Sequence, residues 1–158
     1  MRPAFAGAVE GIGKDGGRLW MRSSEGREIH DRAHEISEQT DAVAAVADNL
    51  RELALPPLVA IGHRVVHGGP SLREHQRITP EVLAQLAAAS HFAPLHVPVA
   101  LRLINAAEKL FPGVPECACF DTAFHKTLPE AAARFPLPER FWRAGVRRYG
   151  FTDYRVNR

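Results

Sequence analysis

A chain of 158 residues, 46% of them hydrophobic, has enough apolar mass for one core of ordinary domain size. Twenty basic against 18 acidic residues leave a net charge of only +2, which does not suggest a nucleic-acid binder. No apolar run approaches the length needed to span a bilayer, and Met1-Arg2-Pro3 opens no signal-peptide pattern, so a cytoplasmic protein without membrane contact is expected.

Taken in chain order, residues 4–33 read as three antiparallel strands. Ala8, Glu10 and Ile12 lead to a glycine-rich turn in which Asp15-Gly16 is a hairpin signal, and Leu19-Trp20-Met21 returns. A second turn at Ser24-Glu25-Gly26 leads to a third strand near residues 28–33. Thr40 is expected as the N-cap of an amphipathic helix over about residues 41–54. Val43, Val46, Leu50 and Leu53 recur there at helical spacing, and Pro56-Pro57 ends it. The apolar run Leu58-Val59-Ala60-Ile61 is expected as a buried strand, and residues 71–77 as a polar loop. Thr79-Pro80-Glu81 is a helix start, with cap, proline and acid in sequence. That helix is expected to run to about Ser90 and a further one over about residues 98–111. Glu116–Phe120 forms a short buried strand that delivers Asp121 at its C-terminal end. Residues 129–134 suggest one short helix, and the rest to residue 158 a loop. Helix, strand, two helices, strand is an α/β order with some parallel pairing.

Cys117 and Cys119 lie two apart in a strand-like run, poorly placed to bridge, and are expected as reduced core thiols. There is no second cysteine pair, and the eight histidines show no helical metal pair, so no metal site is expected.

The chemistry concentrates in Ile61-Gly62-His63-Arg64-Val65-Val66-His67-Gly68-Gly69. A strand that stops at a cluster of polar groups is how an α/β protein presents chemistry at a sheet edge. Arg64 has a guanidinium that can hold a carboxylate or phosphate through two parallel hydrogen bonds, and equally suits an ordinary ion pair. Gly68 and Gly69 allow a sharp turn or a close approach to a ligand. Asp121 at its strand end can orient a metal-bound phosphate or steady Arg64, or serve as the N-cap of a short turn. His96, held between Pro94 and Pro98, can donate to a transferring phosphoryl group or bond a loop carbonyl. His67 and His125 are taken as structural.

Four blocks, Ile-Gly-His-Arg-Val-Val-His-Gly-Gly (61–69), Phe-Ala-Pro-Leu-His-Val-Pro (92–98), Phe-Asp-Thr-Ala-Phe-His (120–125) and Arg-Arg-Tyr-Gly-Phe (147–151), resemble the acetate kinase family in wording, order and spacing. The resemblance covers essentially residues 4–151. It implies a partial actin/sugar-kinase-like (ribonuclease H-like) α/β domain with a mixed sheet and flanking helices. It implies phosphate transfer from ATP to acetate, with Mg2+; a propionate or butyrate kinase is the alternative, since one methylene changes binding by only about 1–3 kcal/mol. By the same resemblance Arg64 binds the carboxylate or the phosphoryl in flight, and Asp121 is the active-site acid; His96 is kept as a second catalytic candidate. Val66, Leu95 and Phe151 would line the pocket for the acetate methyl. Acetate is already an anion at neutral pH and needs no base, so Asp121 suits the role of magnesium or Arg64 organiser better than that of general base.

The chain also departs from the family pattern. The Asn-x-Gly-Ser-Ser-Ser-x-Lys turn that holds phosphate and magnesium in the family is absent, as is the second domain that supplies most of the ATP site. Residues 1–151 are therefore expected to be an incomplete N-terminal domain that lacks most ATP- and Mg2+-binding residues and does not form the family's homodimer. A non-catalytic remnant is the reading from another class. Thr152-Asp153 stand where the family has His-Gly. One nucleotide restored after the Phe151 codon permits Phe-His-Gly, so residues 152–158 are read as a frameshifted tail.

Overall fold

The computed structural model describes residues 3–33, 35–53 and 55–150. They fall into two compact units, one of residues 1–57 and 105–112, the other of residues 58–104 and 113–158.

In the first unit, β1 (Phe5–Glu10), β2 (Arg18–Ser23) and β3 (Glu28–Ala33) form an antiparallel meander in that order, as the hairpin signals predict. The alternation in β2 turns Leu19 and Met21 inward onto Ile36, Ala42 and Ala45. Helix α1 spans Gln39–Glu52 and begins at Glu38, not at the expected Thr40. The cause is Asp41, whose Oδ2 accepts the Glu38 backbone N–H at 3.0 Å. A carboxylate three residues into the helix reaches back and fixes the start, leaving Thr40 inside the first turn.

In the second unit, β4 (Ile61–Val65) runs parallel to β6 (Glu116–Phe120), and β5 (Gln76–Arg77) pairs antiparallel on the far side of β6. The sheet order is β4-β6-β5, a mixed sheet as expected. The apolar residues 58–60 lie before the strand rather than in it, and Val59 is 84% exposed. Strand pairing follows alternation instead: Ile61, His63 and Val65 turn inward and Gly62 and Arg64 outward. Strand β5 falls in the expected loop because two residues are too few to show a period. Helix α2 (Pro80–Ala88) starts as predicted, with Thr79 Oγ1 accepting the Val82 N–H at 3.3 Å, and tightens into a 3₁₀ turn over Ala89–Phe92. Helix α3 covers Val97–Leu110, and α4 covers Glu130–Ala133. Helix α5 (Glu139–Arg143) occupies a stretch expected to be loop; five residues behind Pro138 carry no legible periodicity.

Val65, Leu72, Leu86, Val97, Ile104 and Phe120 are the most deeply buried side chains of the core around this sheet. Cys117 and Cys119 are free thiols, but Cys119 is exposed and Cys117 only half-buried, so they are not core residues. The inward face of β6 is taken by Glu116, Ala118 and Phe120, which turns the intervening cysteines outward. Among the described residues no helix is long and apolar enough to cross a membrane.

Candidate active site

Parallel pairing brings the C-terminal ends of β4 and β6 to one edge of the sheet. The register sets Arg64 opposite Cys119 and Val65 opposite Phe120, so Asp121 emerges one residue beyond the last pair. There Arg64 Nε donates to Asp121 Oδ1 at 3.0 Å and Arg64 Nη2 to Asp121 Oδ2 at 2.8 Å, with a longer bond from Nε to Oδ2 at 3.2 Å. The side chain of Asp121 is 7% exposed and that of Arg64 59% exposed. A buried carboxylate thus clamps the inner edge of a guanidinium whose body remains largely at the surface. The N-cap reading of Asp121 does not hold: the 3₁₀ turn Asp121–His125 has Phe120 at its cap position, and Asp121 is spent on Arg64.

This arrangement has one clear chemical capability. A guanidinium fixed by two parallel bonds is a pre-oriented positive charge, able to gather an anion without reorganising. The carboxylate, with both oxygens already accepting N–H donors, acts as a positioning group for Arg64.

The other residues expected at the site are placed less closely. Val66 follows β4 and is half-buried. Leu95 lies in the turn before α3 and is 81% exposed. His96, also exposed, carries the start of α3: its backbone N–H donates to the Ala93 carbonyl at 3.0 Å and its carbonyl accepts from Ala100 at 2.9 Å. The described contacts join Arg64 to Asp121 and do not bring the His96 side chain to them. Phe151 falls outside the described residues.

Three further histidines shape this edge. His67 is buried, and its Nδ1 accepts the Gly69 backbone N–H at 2.8 Å. Its ring packs against Phe92 and Tyr149, with centroids 5.1 and 4.4 Å away, and those two rings meet each other at 6.1 Å. Burial, and secondarily the nearby His91, push its pKa below the usual imidazole value. The structural reading of His67 therefore fits its surroundings. His75 and His63 carry no signal in the sequence, because their partners are set by strand register. His75 Nδ1 accepts the Phe120 N–H at 3.1 Å, fixing the backbone one residue before Asp121. His63 Nε2 lies 2.6 Å from Glu116 Oε2 on the inner face of the sheet.

Magnesium is held in such sites by one or two carboxylates together with substrate phosphates. Among the described residues no group of three or more His, Cys, Asp or Glu side chains is placed to hold a metal, and both Asp121 oxygens face the Arg64 guanidinium. These residues by themselves do not fit a magnesium cage.

The fold is that of the acetate and propionate kinases. An acetate kinase from Porphyromonas gingivalis is 36% identical and superposes with a TM-score of 0.80, covering 94% of this chain and 39% of its own. A propionate kinase from Francisella tularensis is 32% identical with a TM-score of 0.82, covering 94% of this chain and 38% of its own. The expected actin/sugar-kinase-like architecture is thus the one observed, in part. The profile of the acetokinase family matches residues 1–155, and the chain belongs to that family. An acetate kinase of Rhodopseudomonas palustris is 44% identical over 145 residues, 89% of this chain and 36% of the relative. The chain spans a little over a third of the length of the curated relatives it matches.

Proposed function

We propose that this chain supplies the carboxylate-binding portion of an acetate-kinase-type phosphotransferase, which moves a phosphoryl group between ATP and a short carboxylate. The observation that carries the reading is the Arg64–Asp121 fork at the shared end of two parallel strands. Bringing an anionic carboxylate up to an anionic phosphate is the main obstacle in this reaction, and a fixed guanidinium lowers it by offering pre-oriented positive charge and N–H donors between them. Arg64 binds the carboxylate or the phosphoryl in flight. Asp121 orients Arg64 and takes no proton. Val66 and Leu95 flank the substrate's methyl group in this reading. ATP is the donor and Mg2+ its counter-ion, both held chiefly by groups other than the described residues. A cytoplasmic setting accompanies this reading, in keeping with the two free thiols.

Propionate is the second substrate favoured, because a propionate kinase is among the structural neighbours and Leu95 is 81% exposed. A wall so open does not fix chain length.

The test is a hydroxamate assay on a chimera in which residues 4–150 replace the matching segment of a full-length relative. Arg64→Lys keeps the charge and loses the fork, so turnover should fall by about 10²–10³-fold. Asp121→Asn should lower turnover mainly, with little change in KM. Rates within a few-fold of the parent in both variants would sink the assignment.

A further inference from the structure

A second cavity lies behind the strand end, wholly within the second unit. It measures about 250 Å3 and is walled by the segment after β6, by α4 and by residues 142–150. Four cationic side chains line it, Arg73, Lys126, Arg147 and Arg148, against one carboxylate, Glu130. That carboxylate is already engaged, accepting from Arg134 Nη1 at 2.8 Å. Lys126 is partly offset by Glu74 at 3.1 Å, and Arg73 donates to the Lys126 carbonyl at 2.9 Å.

Two donors in this wall are buried with no hydrogen-bond partner, Thr122 Oγ1 and Arg147 Nε. Thr122 as a residue is only 7% exposed. Burying a hydroxyl and a guanidinium N–H without acceptors is unfavourable, and a small rotation of either side chain toward an oxyanion in the cavity relieves that penalty. The Arg147 guanidinium is held over the Trp142 ring, 4.6 Å from its centroid, which fixes its plane beside the cavity. Clustered cations, two unmet donors and a hollow open on one side together suit a small anion. The volume lies below the range of about 300–1,000 Å3 typical of drug-sized ligands.

We propose that this cavity binds a phosphate group, free or as the terminal phosphate of a small ester, at a place separate from the Arg64–Asp121 edge. A tetrahedral dianion suits it better than a carboxylate. Its several oxygens can accept from Thr122 and Arg147 while the remaining charge faces Arg148 and Arg73.

The experiment is calorimetric titration of the chain with inorganic phosphate at constant ionic strength, chloride making up the balance. Saturable binding is expected, weakened at least tenfold in Arg147→Gln and in Thr122→Val, and a binding event that still depends on Arg147 should persist in Arg64→Ala. Arg147→Lys, which keeps charge and ring contact but loses the Nε donor, should also weaken binding while leaving the near-ultraviolet circular dichroism intact. Should Arg147→Gln fail to fold, Arg148→Gln at an exposed position reports the same loss. Glycerol phosphate in place of phosphate distinguishes an ester from the free ion. Absence of saturable binding overturns the proposal. So does binding abolished by Arg64→Ala and retained in the Arg147 variants, which would place the anion at the strand edge.

Discussion

Arg64 and His67 stand three residues apart and meet opposite environments. Arg64 keeps most of its side chain at the surface, whereas His67 is buried against two aromatic rings. Because Nδ1 of His67 accepts a backbone N–H, the neutral ring carries its proton on Nε2, and protonating Nδ1 would destroy that bond. The pKa is pushed down in the folded chain, chiefly by burial. The unfolded chain therefore takes up a proton first as pH falls. Stability from this group is complete above the ordinary value of 6.5 and declines as pH drops below it toward the folded value. The thermal midpoint should consequently fall between about pH 7.5 and about pH 5.5, and fall less in His67→Gln. Equal slopes in the two proteins would show that His67 does not titrate on unfolding.

At the scale of elements, the turn after β4 is set by packing. A Cβ at Gly68 would meet the Leu72 carbonyl oxygen at 2.2 Å and Phe120 Cδ1 at 3.0 Å. Gly69 has φ +67, and a Cβ there would lie 2.8 Å from that of Ala89. Close approach was legible in the Gly-Gly pair, but what approaches is the protein's own core and not a ligand. Gly68→Ala should destabilise by about 1–3 kcal/mol in chemical denaturation, the usual cost of forcing extra volume into a packed core. A loss below about 0.5 kcal/mol would mean the turn relaxes freely. Elsewhere the sequence showed what local chemistry decides: the hairpins around Asp15-Gly16, the Thr79-Pro80 helix start and the strand leading to Asp121. It hid what depends on distant partners: β5 exists only because β6 lies beside it, and Val59 looked buried only by composition. The α1 start was misplaced for a local reason, since Asp41 reaches back three residues to Glu38. Of the candidate site, the Arg64–Asp121 pair was legible because both residues lie at the C-terminal limits of apolar strand-like runs, while the partners of His63, His75 and Glu116 were not, since strand register is invisible in one chain.

For the whole molecule, the outer strand β4 and the apolar side chains just before it form an open sheet edge. β4 has β6 as its one neighbour among the described residues, and Leu58 and Val59, just before it, are 42% and 84% exposed. An unpaired edge flanked by apolar residues invites pairing with a second chain. Light scattering should rise with protein concentration, and Val59→Lys should suppress the rise without lowering the thermal midpoint. A monodisperse parent at all concentrations would show that this edge is protected.

The β4–β6 ladder also dictates an order of events in time. Ile61 pairs with Glu116, 55 residues later by subtraction of the two numbers, whereas the β1–β3 meander closes between near neighbours. Contacts so distant along the chain form slowly. During synthesis at about 5–20 residues per second, β4 waits roughly 3–11 s for its partner strand to be made. The arginine that organises the site is thus translated well before the aspartate that orients it, and for that interval the nascent chain carries the charge without its clamp.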